Sequence, residues 1–182
     1  MNSISSAKFD EDTILIEGFL AGDSECFERL YQRYYPKVQV IAHGILLNAE
    51  DTEDSVQEIF TAAYRGLAKF DGRSQFATWL YRIAVNRAIQ YKRKLRHRAH
   101  DVELREDSAT TTEQFVTSTD PRIAFALGQL SRDDRAVLGL YYWQEQSLAE
   151  IAFSLGCNEN AAKTRLFRAR ERFAKHYRGW GS

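Results

Sequence analysis

The amino-acid sequence predicts an all-α protein: two small helical domains joined by a flexible acidic linker, the C-terminal one a helix-turn-helix. Three observations predict it. Apolar residues recur at intervals of three and four along most of the chain, and no alternating run bounded by turn signals suggests a strand. Only two prolines stand among 182 residues. That periodicity fails between residues 99 and 120, and residues 101–120 hold six acidic residues against one basic. So little apolar surface cannot offset the entropy of ordering the backbone, which makes this stretch a linker. The expected domains are 10–98 and 121–178, with 99–120 between them.

Each element has its own signal. Residues 12–21 carry helical spacing, and in 24–47 Phe27, Leu30, Tyr31, Tyr34, Val38, Ile41, Ala42 and Ile45 share a face. Pro36 lies inside that second helix, where its ring predicts a kink. A third helix should begin near Ala49, because Glu50, Asp51, Glu53 and Asp54 crowd its first turns, where the dipole favours anions. Val56, Ile59, Phe60, Ala63, Tyr64 and Leu67 form its apolar stripe. Asp71-Gly72 punctuates the turn from Phe70 to Ser74, and a fourth helix runs over 75–98. Its face of Phe76, Trp79, Leu80 and Ile83 continues into Arg87, Gln90 and Lys94, so its second half is expected to leave the core.

After the linker, Pro121 opens a second ordered unit with helices over 122–130, 133–143, 147–155 and 158–177. Ser147 can cap a short helix bearing Leu148, Ile151, Ala152 and Leu155. Gly156 supplies the left-handed residue that ends it, and Asn158 can cap the next. This is the spacing of a DNA-reading helix-turn-helix.

Several function classes are excluded. No uncharged apolar run approaches the ~20 residues that span a bilayer, so no membrane insertion is expected. The N-terminus has no signal-peptide core. Cys26 and Cys157 match no CxxC or zinc-ligand spacing, so they read as reduced thiols of a cytoplasmic protein. No GxxxxGK[ST], HExxH or GxSxG motif occurs; no enzyme activity, metal or cofactor is expected. His97 and His100 lie one helical turn apart without a matching ligand set, and extend the basic end of their helix.

Lysine and arginine total 25, as do aspartate and glutamate, which argues against nucleic acid only if the charges are evenly mixed. They are not. Residues 65–98 hold ten Lys/Arg and one Asp, interleaved with Phe70, Phe76, Trp79, Tyr81 and Tyr91. Cations among aromatics can hold unstacked bases, at ~1–3 kcal/mol per stacked base. In the last helix Ala162, Leu166, Ala169 and Phe173 form a narrow seam. Lys163, Arg165, Arg168, Arg170, Arg172 and Lys175 all fall outside it. Such a face can neutralise phosphates and reach guanine edges. Phe167 is off the seam and can either pack on a neighbour or face a ligand. The acidic start of the third helix carries five carboxylates over 50–58, suited to a basic partner.

In this order the three constellations resemble an extracytoplasmic-function sigma factor, the smallest kind of bacterial RNA polymerase sigma subunit. The resembling text is DTEDSVQEIFTAAYRGLAKFDGRSQFATWLYRIAVNRA at 51–88 and LSRDDRAVLGLYYWQEQSLAEIAFSLGCNENAAKTRLFRARERF at 130–173. The resemblance implies that 10–98 is sigma domain two, binding core RNA polymerase through the clamp helices of its largest subunit. Asp51, Asp54, Gln57 and Glu58 match that contact. It implies that the next segment opens the −10 element and captures a flipped base, at Lys69, Phe70, Arg73, Ser74, Gln75, Trp79, Asn86, Arg87 and Gln90. Domain four, 121–178, would place its last helix in the −35 major groove through Asn160, Lys163, Thr164, Arg165 and Arg168. The acidic linker would thread toward the RNA exit channel. Where the family commonly has Gly-Thr-Val, this chain has Asn160-Ala161-Ala162, which removes a hydroxyl from the helix start. Family members are often held inactive by an anti-sigma factor, frequently membrane-anchored. The alternative, a stand-alone helix-turn-helix transcriptional regulator, leaves the acidic face unexplained.

Overall fold

The computed structural model describes residues 3–100 and 120–180, with side chains over 11–91 and 120–180. Nearly all of the expected linker lies outside the described residues. Four helices form the first half: α1 (Ser3–Leu20), α2 (Ser24–Leu46), α3 (Ala49–Gly66) and α4 (Phe76–His100), with a 3-10 turn at Leu67–Lys69. The second half holds α5 (Pro121–Gly128), α6 (Arg132–Tyr142), α7 (Leu148–Leu155) and α8 (Glu159–Arg178). No strand occurs among the described residues.

Local chemistry sets the ends of these helices. Asn48 precedes α3 and accepts from the Asp51 amide at 2.8 Å; Asn158 does the same for Ala161 ahead of α8 at 2.8 Å. Ser147 and Glu150 form a reciprocal capping box on α7. Gly156 ends α7 at φ +62°, in the left-handed region where a side chain is strained. α2 runs on through Pro36, which faces solvent. α1 is fastened to α2 by the buried Asp12, which accepts from Arg33 Nη1 at 2.7 Å and from the Tyr34 hydroxyl.

The α4 expectation needs correction. Ala84, Val85 and Ala88 are buried, and Tyr91 is half-buried, so the core face continues at least to Tyr91. The apolar stripe rotates from Phe76 and Leu80 onto Tyr81, Ala84, Val85 and Ala88 instead of fading. Small alanines let α2 and α3 approach closely there, while Arg87 and Gln90 turn to the flank.

One apolar cluster runs through both halves, from Leu30, Val38 and Ile59 to Leu140, Ile151 and Leu166. The halves join where α4 packs on α7 and α2 packs on α6. The last helix, α8, packs on α6 and α7.

Candidate nucleic-acid interface

The outer faces of α3 and α4 enclose an open polar groove of about 730 Å3. Asp54, Gln57, Glu58 and Arg65 of α3 line it together with Lys69 of the 3-10 turn and Arg87 and Tyr91 of α4. Residues expected to bind the polymerase and residues expected to bind DNA therefore share one groove. Tyr91 donates to Asp54 Oδ2 at 2.8 Å, and desolvation together with that carboxylate pushes the phenol up to about 12. The phenol thus stays protonated and orients Asp54. Asp51 lies one turn earlier on α3, partly buried.

Behind Lys69 the chain builds an aromatic shelf. Phe70 lies 5.3 Å from Trp79 and 6.1 Å from Phe76 between ring centroids, and Trp79 lies 5.6 Å from Phe76. Phe76 is core, at 3% exposure and edge-on to Tyr34. Phe70 and Trp79 are only half-buried and can offer ring faces to a base. Gly66 makes room for the indole: a Cβ there would meet Trp79 Cζ2 at 3.3 Å. Arg73 is exposed and bridges Asp71 at 2.9 Å, Ser74 donates to the Gln75 carbonyl at 3.2 Å, and Asn86 and Gln90 are exposed on α4. Gln75 points elsewhere. It lines a crevice of about 320 Å3 with Thr78, Glu145 and Glu150, facing the second half.

On α8 the expected reading residues Asn160, Lys163, Thr164, Arg165 and Arg168 are all exposed. Thr164 donates to the Asn160 carbonyl at 2.9 Å, which leaves its hydroxyl as an acceptor only. Two other cations of this helix are committed to the fold. Arg170 lies over the rings of Tyr141 and Tyr142, and Arg172 donates to both carboxylate oxygens of Asp134 at 2.7 Å.

Comparison with known proteins decides among the readings of this geometry. A family model described as Sigma-70 region 2 matches residues 30–98, and one described as Sigma-70, region 4 matches 122–173. The ECF RNA polymerase sigma-E factor of Escherichia coli K12 is 34% identical, covering 88% of this chain and 91% of its own. The chain belongs to the ECF sigma-factor family. The sigma-E factor of Haemophilus influenzae is 32% identical over 88% of this chain and 92% of its own. Among solved structures, CnrH in complex with the cytosolic domain of CnrY is 26% identical, with a TM-score of 0.70 over 94% of this chain and 99% of that one.

As an ECF sigma factor, the chain binds core RNA polymerase and directs promoter recognition, DNA melting and transcription initiation. The stand-alone regulator is not favoured. Two residues of the sigma factor's surfaces were missed or left open by sequence reasoning. Arg65 enters the α3–α4 groove, and its spacing of four from Lys69 was the available signal. Phe167 is 60% exposed on the cationic face of α8, with no ring partner among the described residues. Among the described residues no helix is long and apolar enough to cross a membrane, and no group of three or more His, Cys, Asp or Glu could hold a metal.

Proposed function

We propose that promoter selectivity is divided between two surfaces of this sigma factor. Residues 121–178 act as the −35 module, with Lys163, Arg165 and Arg168 toward the major groove and Asn160 and Thr164 at the helix start. Residues 10–98 act as the core-binding and −10 module. Asp51, Asp54, Gln57 and Glu58 take the basic partner helix. Lys69, Arg73, Arg87, Asn86 and Gln90 hold the backbone and edges of the opened strand, and Phe70 and Trp79 stack a flipped base, with Ser74 and Gln75 beside them. Base capture offsets an unstacking cost of a few kcal/mol.

The observation that carries this reading is the sorting of cations on α8. Arg170 and Arg172 are held by Tyr141 and Asp134, whereas Lys163, Arg165 and Arg168 have no hydrogen bond or ion pair among the described residues. The chain acts in the cytoplasm beside the polymerase, without catalysis of its own. A cytosolic regulatory partner of anti-sigma type is proposed because CnrH, its structural neighbour, is held in complex with the cytosolic domain of CnrY.

In vitro transcription with core polymerase on a genomic promoter library tests the assignment. Arg165→Ala should weaken −35 binding by ~1–3 kcal/mol and relax sequence choice at one position, as expected for a bidentate contact. Unchanged affinity and selectivity would remove Arg165 from the reading face.

A further inference from the structure

Asp51, Asp54 and Glu58 follow one another at intervals of three and four, so they share one side of α3, where like charges repel. Exposed carboxylates of this kind turn freely in water, and a basic partner must order each one as it docks. One of them is already ordered. Ala84, Ala88 and Tyr91 follow at helical spacing on the packed stripe of α4, and α4 packs on α3. At the end of that stripe the Tyr91 hydroxyl donates to Asp54 Oδ2 at 2.8 Å. We propose that Tyr91 is a positioning residue for core polymerase: it fixes the Asp54 carboxylate in the orientation that the partner's basic helix meets, and leaves the charge of the face intact. The inference rests on the proposed role of Asp51, Asp54, Gln57 and Glu58 in core binding.

The anchor is firmer than the group it holds. Tyr91 is half-buried and Asp54 exposed, and a tyrosine has only two side-chain torsions, so little freedom is lost in fixing it. Asp54 makes no other hydrogen bond or ion pair among the described residues, which leaves its remaining lone pairs for a cation. Gln57 and Glu58 line the same groove, so the held carboxylate stands beside other members of the docking set.

A phenol suits this position for a chemical reason. Desolvation, the hydrogen bond to Asp54 and the charges of Asp54, Asp51 and Glu58 push its pKa up to about 12, so it stays a neutral donor. A lysine of similar reach would hold Asp54 too, yet its charge would cancel one carboxylate and compete with the partner's cation. A phenylalanine would fill the space and hold nothing.

Fluorescence anisotropy of the full chain, labelled at its N-terminus and titrated with core RNA polymerase, tests the assignment. Tyr91→Phe should weaken binding roughly two- to tenfold, the cost of ordering one more side chain at an interface. In an Asp54→Ala background the same substitution should change nothing further, a coupling that a ring with only a packing role does not show. Tyr91→Lys should bind core more weakly than Tyr91→Phe. Circular dichroism reports whether each variant folds, and Tyr91→Lys, which keeps a donor, serves if Tyr91→Phe does not. Where Asp54→Ala weakens binding, unchanged affinity in a folded Tyr91→Phe overturns the positioning role and leaves the core-binding reading in place. So does an equal loss from Tyr91→Phe in the Asp54→Ala background, or parent-like affinity in Tyr91→Lys. An Asp54→Ala variant that binds core as tightly as the parent removes the reading itself, and the proposal with it.

Discussion

Phe167 shows how one side chain can carry information that charge does not. It stands between Thr164 and Arg168 on the exposed face of α8, where an apolar ring in water gains nothing unless a ligand covers it. In the major groove the apolar mark is the thymine methyl. Burying one methyl contributes ~0.8 kcal/mol, about a fourfold change in Kd. The full chain should therefore bind a −35 duplex about fourfold more weakly when the contacted thymine is replaced by uracil, and Phe167→Ala should abolish that difference. A methyl effect that survives in Phe167→Ala assigns the contact to another residue. The helical angle placed Phe167 off the seam but could not say whether a neighbouring helix covered it, because periodicity describes a face and not what lies opposite. Arg170 and Arg172 were counted with the cationic face for the same reason: their partners Tyr141 and Asp134 belong to another helix.

At the scale of elements the sequence was most legible where local chemistry decides the structure. Ser147, Gly156 and Asn158 announce helix ends through hydrogen bonds and backbone angles internal to a few residues, and those ends stand where they were expected. α4 was misread because its two apolar stripes overlap, and Ala84 and Ala88 carry too little apolar surface to mark the second one. Gly156 gives a clean measurement of a local term. A Cβ there meets nothing within 4 Å, so only the φ of +62° opposes substitution. Gly156→Ala should destabilise the second half by ~1–2 kcal/mol, the cost of a left-handed residue with a side chain. Urea denaturation followed by circular dichroism reads this as a lowered midpoint; an unchanged midpoint would show that the α7–α8 turn relaxes to another conformation.

For the molecule as a whole, periodicity could not foretell how the halves meet. Thr78, Ser154 and Arg135 read as ordinary polar residues, and only the assembled structure shows them buried between α4 and α7 or between α2 and α6. Net charge misleads in a related way. A balance of 25 positive and 25 negative groups predicts little salt dependence for DNA binding if the protein acts as one averaged charge. Binding instead samples the field within a Debye length of the contact, about 8–10 Å at ordinary ionic strength. Lys163, Arg165 and Arg168 supply three cations there without acidic partners. Three neutralised phosphates give a slope of log K on log salt of about −2.7, or roughly a 40-fold loss of −35 duplex affinity between about 50 and 200 mM salt. Fluorescence anisotropy on the full chain measures it. Lys163→Gln should flatten the slope by about 0.9, whereas Arg172→Gln, which removes a cation already bound to Asp134, should leave it unchanged. A slope near zero in the parent chain would show that the acidic segments screen α8 after all. An equal loss in both variants would show that the Arg172–Asp134 bridge opens when DNA arrives.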